Sequence, residues 1–292
     1  MGAAFVTGGS GFVGSHLVEE LGARAVAHSR AELDLLDGEA VRRALADARP
    51  ACVFHLAAHA SVARSWEEPA AVLRNNVAMT VNVLEALRRE APDALAVVMS
   101  SGEVYGPPER LPVDESAPLR PQNPYAVSKA ACDLLAGQYA DAHGLRVIRM
   151  RAFNQAGPGQ SDDYVVGTIT RQVAEAEAAG GGVVRTGNPV LARDFTDVRD
   201  TVRAYVAALG APAGAYNVCS GRSASVREIV EYARRAARVE VRHEVDPARV
   251  RAHDVPEVLG SPARLTEASG WSPAIPLERT VADALDYWRA RL

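Results

Sequence analysis

Four side chains of this 292-residue sequence carry the chemistry that matters first: Ser101, Glu103, Tyr125 and Lys129. Tyr125 and Lys129 bracket Ala126-Val127-Ser128, and on a helix a spacing of four puts both on one face. A free phenol, with a pKa of about 10, is a poor base at neutral pH. A neighbouring ammonium favours the phenolate, lowers that value and makes Tyr125 usable as a general acid–base. Ser101 offers a hydroxyl that can hold a substrate oxygen. Glu103 adds a carboxylate that can move a proton if burial raises its pKa. Among 32 basic residues Lys129 is the single lysine; every other one is arginine. Arginine keeps its proton and presents a planar fork, so it does not replace a compact ammonium.

A glycine turn lies upstream of these groups. Thr7-Gly8-Gly9-Ser10-Gly11-Phe12-Val13-Gly14 follows an apolar run and opens a helical one. Both Gly9-x-Gly11-x-x-Gly14 and Gly8-x-x-Gly11-x-x-Gly14 fit it. Glycines at these positions allow a tight turn, close approach of backbone to a pyrophosphate, and close helix–strand packing. The first helical amides, at Phe12, Val13 and Gly14, then meet the phosphates at the positive end of the helix dipole. The end of the second strand selects the dinucleotide: a carboxylate suits the 2′-hydroxyl of NAD, and an arginine suits the 2′-phosphate of NADP. Here the sequence reads Ala27-His28-Ser29-Arg30. Ser29 and Arg30 favour NADP, with NAD as the alternative.

The elements that must position these groups are legible as alternating periods. Strand-like runs at 3–7, 24–28, 51–56, 95–100 and 145–150 alternate with helical ones at 15–21, 39–46, 71–89 and 125–143. Such alternation specifies an α/β fold with a doubly wound parallel sheet and right-handed crossovers. Beyond residue 155 the pattern loosens. A glycine turn falls at 180–182, and Ser225-x-x-Glu228 is a capping box opening a helix to about 238. Prolines punctuate the tail, and a last helix spans about 277–291. The expected division is a dinucleotide-binding domain over 1–155 and a smaller substrate-binding lobe over 156–292, with segments able to interleave.

Composition excludes other classes. The chain is 48% hydrophobic and 23% charged, with a formal net charge of −4. It has no basic stretch of the kind that footprints nucleic acid, and no apolar run of about 18 residues for a membrane span. Cys52, Cys132 and Cys219 form no C-x-x-C pair, which fits a reducing cytoplasm. The first residues read as a strand and not as a secretory leader. No metal is expected: His55 and His59 are four apart, but at a strand end and turn where helical spacing does not apply. Asp194, Asp197 and Asp200 read as helix-start carboxylates.

Taken together, the chain resembles the extended short-chain dehydrogenase/reductase family, which acts on nucleotide sugars. The resemblance runs through essentially the whole length. It rests on Thr7-Gly8-x-x-Gly11-x-x-Gly14, His55-Leu56-Ala57-Ala58, Ser100-Ser101-x-Glu103-Val104-Tyr105-Gly106 and Tyr125-x-x-x-Lys129. It continues through Phe153-Asn154-x-x-Gly157-Pro158-Gly159-Gln160, Arg193-Asp194-Phe195-x-x-Val198-x-Asp200 and Gly270-Trp271-x-Pro273. It implies a Rossmann-type fold, Ser101, Tyr125 and Lys129 as catalytic, Asp34 and Leu35 near adenine, and Leu56, Ala57 and Ala58 along the dinucleotide. It also implies a homodimer built from the helices at 71–89 and 125–143. One stretch departs from the pattern: Asn76-Val77-Ala78-Met79-Thr80 carries methionine where the family often has glycine.

Within the family the likeness is to reductases of GDP-4-keto-6-deoxy-mannose and to GDP-mannose 4,6-dehydratases. The stretch from Gly187-Asn188 to Asp200 resembles the reductases. So does Arg251-x-x-Asp254-Val255-Pro256-x-x-Leu259-Gly260, where the related pattern usually has glutamate for Asp254. Arg193 and Arg251 have the guanidinium forks to clamp a diphosphate, and Asn154 can donate to it. Asn188 and Asp254 complete the expected substrate contacts. In dehydratases a glutamate at the place of Glu103 removes the C5 proton, but related reductases keep it, so Glu103 alone does not decide. Gly102 and the non-acidic end of the second strand tilt the reading to net reduction. The expectation is an NADPH-dependent 4-ketoreductase, with a 4,6-dehydratase or 4-epimerase as the alternative.

Overall fold

The computed structural model describes residues 2–250 and 255–292. In chain order its first half runs β1 (Ala4–Thr7), α1 (Phe12–Leu21), β2 (Ala25–Ala27), α2 (Gly38–Ala48), β3 (Cys52–His55), α3 (Val62–Glu67), α4 (Pro69–Glu90), β4 (Leu95–Met99), α5 (Pro124–His143) and β5 (Val147–Ala152). Its second half runs β6 (Asn154–Ala156), α6 (Val165–Ala178), β7 (Gly182–Thr186), β8 (Ala192–Asp197), α7 (Val198–Ala207), β9 (Gly214–Val218), β10 (Ser223–Ser225), α8 (Val226–Ala236), β11 (Val241–Val245), β12 (Glu257–Val258), α9 (Ala263–Ser269) and α10 (Leu277–Arg289).

Six strands make one parallel sheet in the order β2-β1-β3-β4-β5-β9. Alternation along each strand feeds two faces. Ala4, Val6, Phe54, Val97 and Met99 pack with Leu17 of α1, Tyr205 of α7, and Trp271. Phe5, Val53, Ala96 and Val98 pack with Leu45 of α2, Leu84 and Leu87 of α4, and Tyr139 of α5. Each of these large side chains contributes about 1.5–3 kcal/mol through burial. Both faces are covered, which is what a parallel sheet requires. Met79, the departure from the family pattern, packs against the second of these clusters.

The sixth strand and α7 come from beyond residue 155, so the chain leaves the sheet after β5 and returns to it. A stretch of five residues from a later position carries no periodicity that announces which sheet it will join. Between and after these returns a second layer forms, with β8 bonded to β6, β10 and β12, and β7 paired to β11. Its core gathers Ile169 of α6, Ile229 of α8 and Leu285 of α10. Helix α8 starts at the anticipated capping box: Ser225 Oγ accepts from Glu228 N at 3.2 Å, and Glu228 Oε2 accepts from Ser225 N at 2.8 Å. No described helix is long and apolar enough to cross a membrane.

Candidate active site

The glycine turn joins β1 to α1 as its sequence demands. Gly8 has φ +73°, and a Cβ there would stand 2.8 Å from Ala57 N. A Cβ at Gly14 would fall 2.0 Å from Gly8 O. Gly11 caps α1 without a side-chain hydrogen bond, which leaves the first amides at Phe12 and Val13 free of a capping side chain. This bare cradle against a helix N-terminus fits a pyrophosphate. Leu56, Ala57 and Ala58 follow β3 alongside it; Ala57 N donates to Thr7 Oγ1 at 3.3 Å. In the stretch between β2 and α2 Leu35 is buried, and Asp34 is exposed, its carboxylate accepting from Leu36 N at 3.0 Å.

Ser101 leaves β4 in extended conformation and is buried. Its hydroxyl accepts from Glu103 N at 3.2 Å. Gly102 packs closely: a Cβ there would come 3.0 Å from the Phe153 ring. Asn123 caps α5, its Oδ1 accepting from Ala126 N at 2.8 Å, and Pro124 fills the first turn. That start sets Tyr125 and Lys129 on one helix face beside Ser101. Tyr125 is half-buried and Lys129 buried.

Burial pushes the Tyr125 phenol up, and its hydrogen bond with Ser101 offsets only part of that. Burial pushes the Lys129 ammonium down, opposed by Cys132 and Asp133. The sequence reading has the ammonium pulling the phenol down; in the structure burial is the largest influence on Tyr125 and pushes it up. Glu103 is exposed and accepts from Asn123 Nδ2 at 3.1 Å. The burial that proton abstraction by this carboxylate would need is missing.

Two of the substrate candidates lie on strands of the second layer. Asn154 and Arg193 are half-buried on paired strands β6 and β8; Asn154 Nδ2 donates to Asp194 O at 3.3 Å, and Arg193 Nη1 donates to Ala192 O at 2.8 Å. Asn188 shapes the turn before β8 by accepting from Val190 N at 3.2 Å. Arg251 and Asp254 lie outside the described residues. Of the three acids read as helix-start carboxylates, Asp197 caps α7 and Asp200 sits in its first turn. Asp194 does not fit that reading: it is buried on β8 and accepts from Ser220 N, Gly221 N and Gly260 N. It ties together the loops that enter and leave the second layer.

Two buried networks behind the site escape the sequence reading. In one, Asn76 Oδ1 accepts from His59 N at 2.7 Å, Asn76 Nδ2 donates to Ser128 Oγ at 2.9 Å, and Ser128 Oγ donates to Tyr125 O at 2.7 Å. In the other, Asp133 takes two bonds from Arg151, whose Nη1 donates to Tyr105 Oη at 3.0 Å. The available signal is the placing of Ser128 and Asp133 on the buried side of α5, among Ala130, Cys132 and Ala136.

Comparison with known proteins bears on the family and the fold. Residues 26–284 match the family model described as GDP-mannose 4,6 dehydratase. The chain is 37% identical to the GDP-6-deoxy-D-mannose reductase of Pseudomonas aeruginosa, over 99% of this chain and 97% of that one. The solved structure of RMD from Pseudomonas aeruginosa complexed with NADPH superposes with a TM-score of 0.91 and 35% identity, covering 100% of both chains. The UDP-glucose 4-epimerase of Thermus thermophilus, in complex with NAD, gives a TM-score of 0.88 and 32% identity, covering 99% of this chain and 100% of that one.

Proposed function

This chain belongs to the GDP-mannose 4,6 dehydratase family, within the extended short-chain dehydrogenases/reductases, and from that premise we propose that it is an NADPH-dependent 4-ketoreductase of a nucleotide-linked 4-keto-6-deoxy sugar, GDP-4-keto-6-deoxy-D-mannose first among them. The observation that carries the reading is the state of two side chains. Tyr125 stands hydrogen-bonded beside Ser101 in surroundings that favour its protonated form, as suits an acid for ketone reduction, and Glu103 stands exposed against Asn123. A 4,6-dehydratase or 4-epimerase recycles its nicotinamide, and elimination would ask for a carboxylate sheltered from water.

When bound, the reduced nicotinamide supplies a hydride to the sugar C4. Gly8, Gly11, Phe12, Val13 and Gly14 hold the pyrophosphate; Ser29 and Arg30 meet the 2′-phosphate, with NAD as the alternative cofactor. Asp34 and Leu35 flank adenine, and Leu56, Ala57 and Ala58 line the dinucleotide. Ser101 donates a hydrogen bond to the C4 oxygen, which fixes it within reach of Tyr125. Tyr125 gives that oxygen its proton. Lys129, buried on the same helix face, supplies positive charge as the phenol becomes phenolate. Asn154, Asn188, Arg193, Arg251 and Asp254 bind the nucleotide sugar, the arginines matching diphosphate oxygens with their forks. The division of labour follows the two layers, with the dinucleotide on the six-stranded sheet, to which 1–155 gives all but β9, and the sugar on the lobe formed by most of 156–292.

The same reading makes the enzyme a homodimer through α4 and α5 and places it in the cytoplasm, which three free, buried cysteines support. The test is absorbance of NADPH with GDP-4-keto-6-deoxy-D-mannose. A stoichiometric fall is expected. No fall from folded enzyme that binds NADPH would end the ketoreductase reading. Glu103→Gln separates the alternatives: reduction is little changed, whereas elimination would collapse.

A further inference from the structure

The end of β2 lies directly against the glycine turn, because a Cβ on Gly9 would stand 2.8 Å from the Ala27 Cβ. Two residues on, Ser29 has its backbone already engaged by a side chain that any 2′-phosphate there must compete with. Its backbone N–H donates to Glu32 Oε2 at 2.7 Å, while its carbonyl accepts from Glu32 N at 3.1 Å and Leu33 N at 3.0 Å. A tight turn thereby brings a carboxylate back to the strand end. The Ser29 amide and hydroxyl hold the Glu32 carboxyl below its usual range, so it is ionised at neutral pH. The strand end reads as non-acidic in the sequence, and yet the fold puts an acid there from three positions further along.

We propose that Glu32 is a specificity-determining residue for the dinucleotide: its carboxylate occupies the Ser29 amide at the place where a 2′-phosphate would bind, and so opposes NADPH relative to NADH. The proposal rests on the dinucleotide-binding reading given above. Position follows from general α/β geometry, in which the adenosine ribose faces the carboxyl end of the second strand. A 2′-hydroxyl can donate to the carboxylate. A 2′-phosphate cannot; it is repelled by it and competes with it for the same N–H. Arg30, exposed next to Ser29, pulls the other way. The two side chains thus set opposing preferences one turn apart, and the cofactor choice of this chain is their balance.

Direct binding tests this. NADPH and NADH are titrated into the whole enzyme, followed by fluorescence or calorimetry, for the natural chain, Glu32→Gln and Arg30→Ala. Glu32→Gln keeps the side-chain size and an acceptor for Ser29 while removing the charge. It is expected to tighten NADPH by about fivefold at low salt, with NADH little changed, and the gain shrinks as salt screens exposed charges. Arg30→Ala moves the same ratio in the opposite direction. If both cofactors bind and Glu32→Gln leaves their ratio where it was, the role of Glu32 is overturned while the dinucleotide site stands. If neither cofactor binds the natural chain, the site reading falls and the proposal falls with it.

Discussion

Nε2 of His55 lies 3.1 Å from Oγ1 of Thr80, and the other ring nitrogen, Nδ1, lies 2.9 Å from Oγ1 of Thr7. Thr80 in turn donates to Asn76 O at 2.9 Å, and Thr7 accepts from Ala57 N. One tautomer satisfies the whole series: Thr7 donates to Nδ1, and Nε2–H donates to Thr80. The imidazole therefore joins β1 and β3, which carry the dinucleotide cradle, to α4. From there Asn76 and Ser128 continue to the backbone of Tyr125. A neutral histidine fills this place because it is a donor on one side and an acceptor on the other.

That neutrality has a cost in acid. Burial, with the nearby Lys129 charge, pushes His55 down to about 3 from an ordinary 6.5. Between those values the unfolded chain binds a proton that the folded chain does not. Stability therefore falls as pH drops through about 6.5 and keeps falling toward 3. At pH 5 the loss from this one group is about 2 kcal/mol relative to pH 8. His55→Gln removes the titration and starts from a less stable protein. Urea unfolding at both pH values should show the natural chain losing that much more than the variant. Equal losses would mean His55 is not buried neutral.

The raised phenol predicts the pH profile of turnover. An acid that keeps its proton gives a rate of ketone reduction flat across neutral pH. The rate falls only on the alkaline side of the ordinary phenol value of about 10. Tyr125→Phe should lower turnover by roughly 10²–10⁴-fold and leave NADPH binding in place. Lys129→Arg keeps the charge but brings a planar fork into a buried site built for an ammonium, and it should lose turnover as well. A rate that declines between pH 7 and 8 in the reductive direction would contradict the protonated phenol.

Much of the fold and the site is legible in the sequence alone. The short apolar runs between helical stretches and the glycine turn specify the parallel sheet and its cradle, because local geometry and local sequence agree there. The spacing of four puts Tyr125 and Lys129 on one helix face, and the glycine turn and the Ser101 strand end single that pair out. What is not legible is long-range. β9 is five residues long and joins β5 from more than sixty positions away. The Glu32 turn depends on a backbone reversal, and Asp194 is buried by loops at 220–221 and 260 that no local pattern assigns to it. Buried polar residues such as Asn76 and Thr80 look the same in sequence as solvated ones until their partners are in place.

The outer faces of α3, α4 and α5 predict self-association. Trp66 is 63% exposed and Leu134 61%, with Leu73 and Val127 also open. Trp66, Pro69, Leu73, Pro124 and Val127 line a groove of about 510 Å³. Apolar surface of this kind on one helix pair is costly in water, and a second copy covers it symmetrically. Light scattering should give twice the chain mass for the natural protein and a single chain mass for Leu134→Glu. A natural chain that stays single at micromolar concentration would remove the dimer from the proposed function.

Asp133 provides the strongest stability prediction. Its carboxylate has no exposure and sits one turn beyond Lys129. Arg151 Nε donates to Oδ2 at 2.9 Å and Arg151 Nη2 to Oδ1 at 3.1 Å, with Arg149 Nη1 adding a bond at 3.2 Å. Burial alone would push the carboxyl up, but Arg151 above all, helped by Ser100 and Arg149, brings it below the usual range. Asp133→Asn keeps the shape and strands the Arg151 guanidinium beside Tyr105. Breaking a buried pair from one side costs about 3–5 kcal/mol, because a charge is left without its counter-ion. Replacing both partners, as in Asp133→Leu with Arg151→Met, should cost less than the sum of the two singles, since neither charge is then stranded. Denaturant midpoints of the four proteins test the coupling. A loss under about 1 kcal/mol for Asp133→Asn would show that α5 is held to β5 by its apolar contacts alone, with the ion pair contributing nothing to the seat of Lys129.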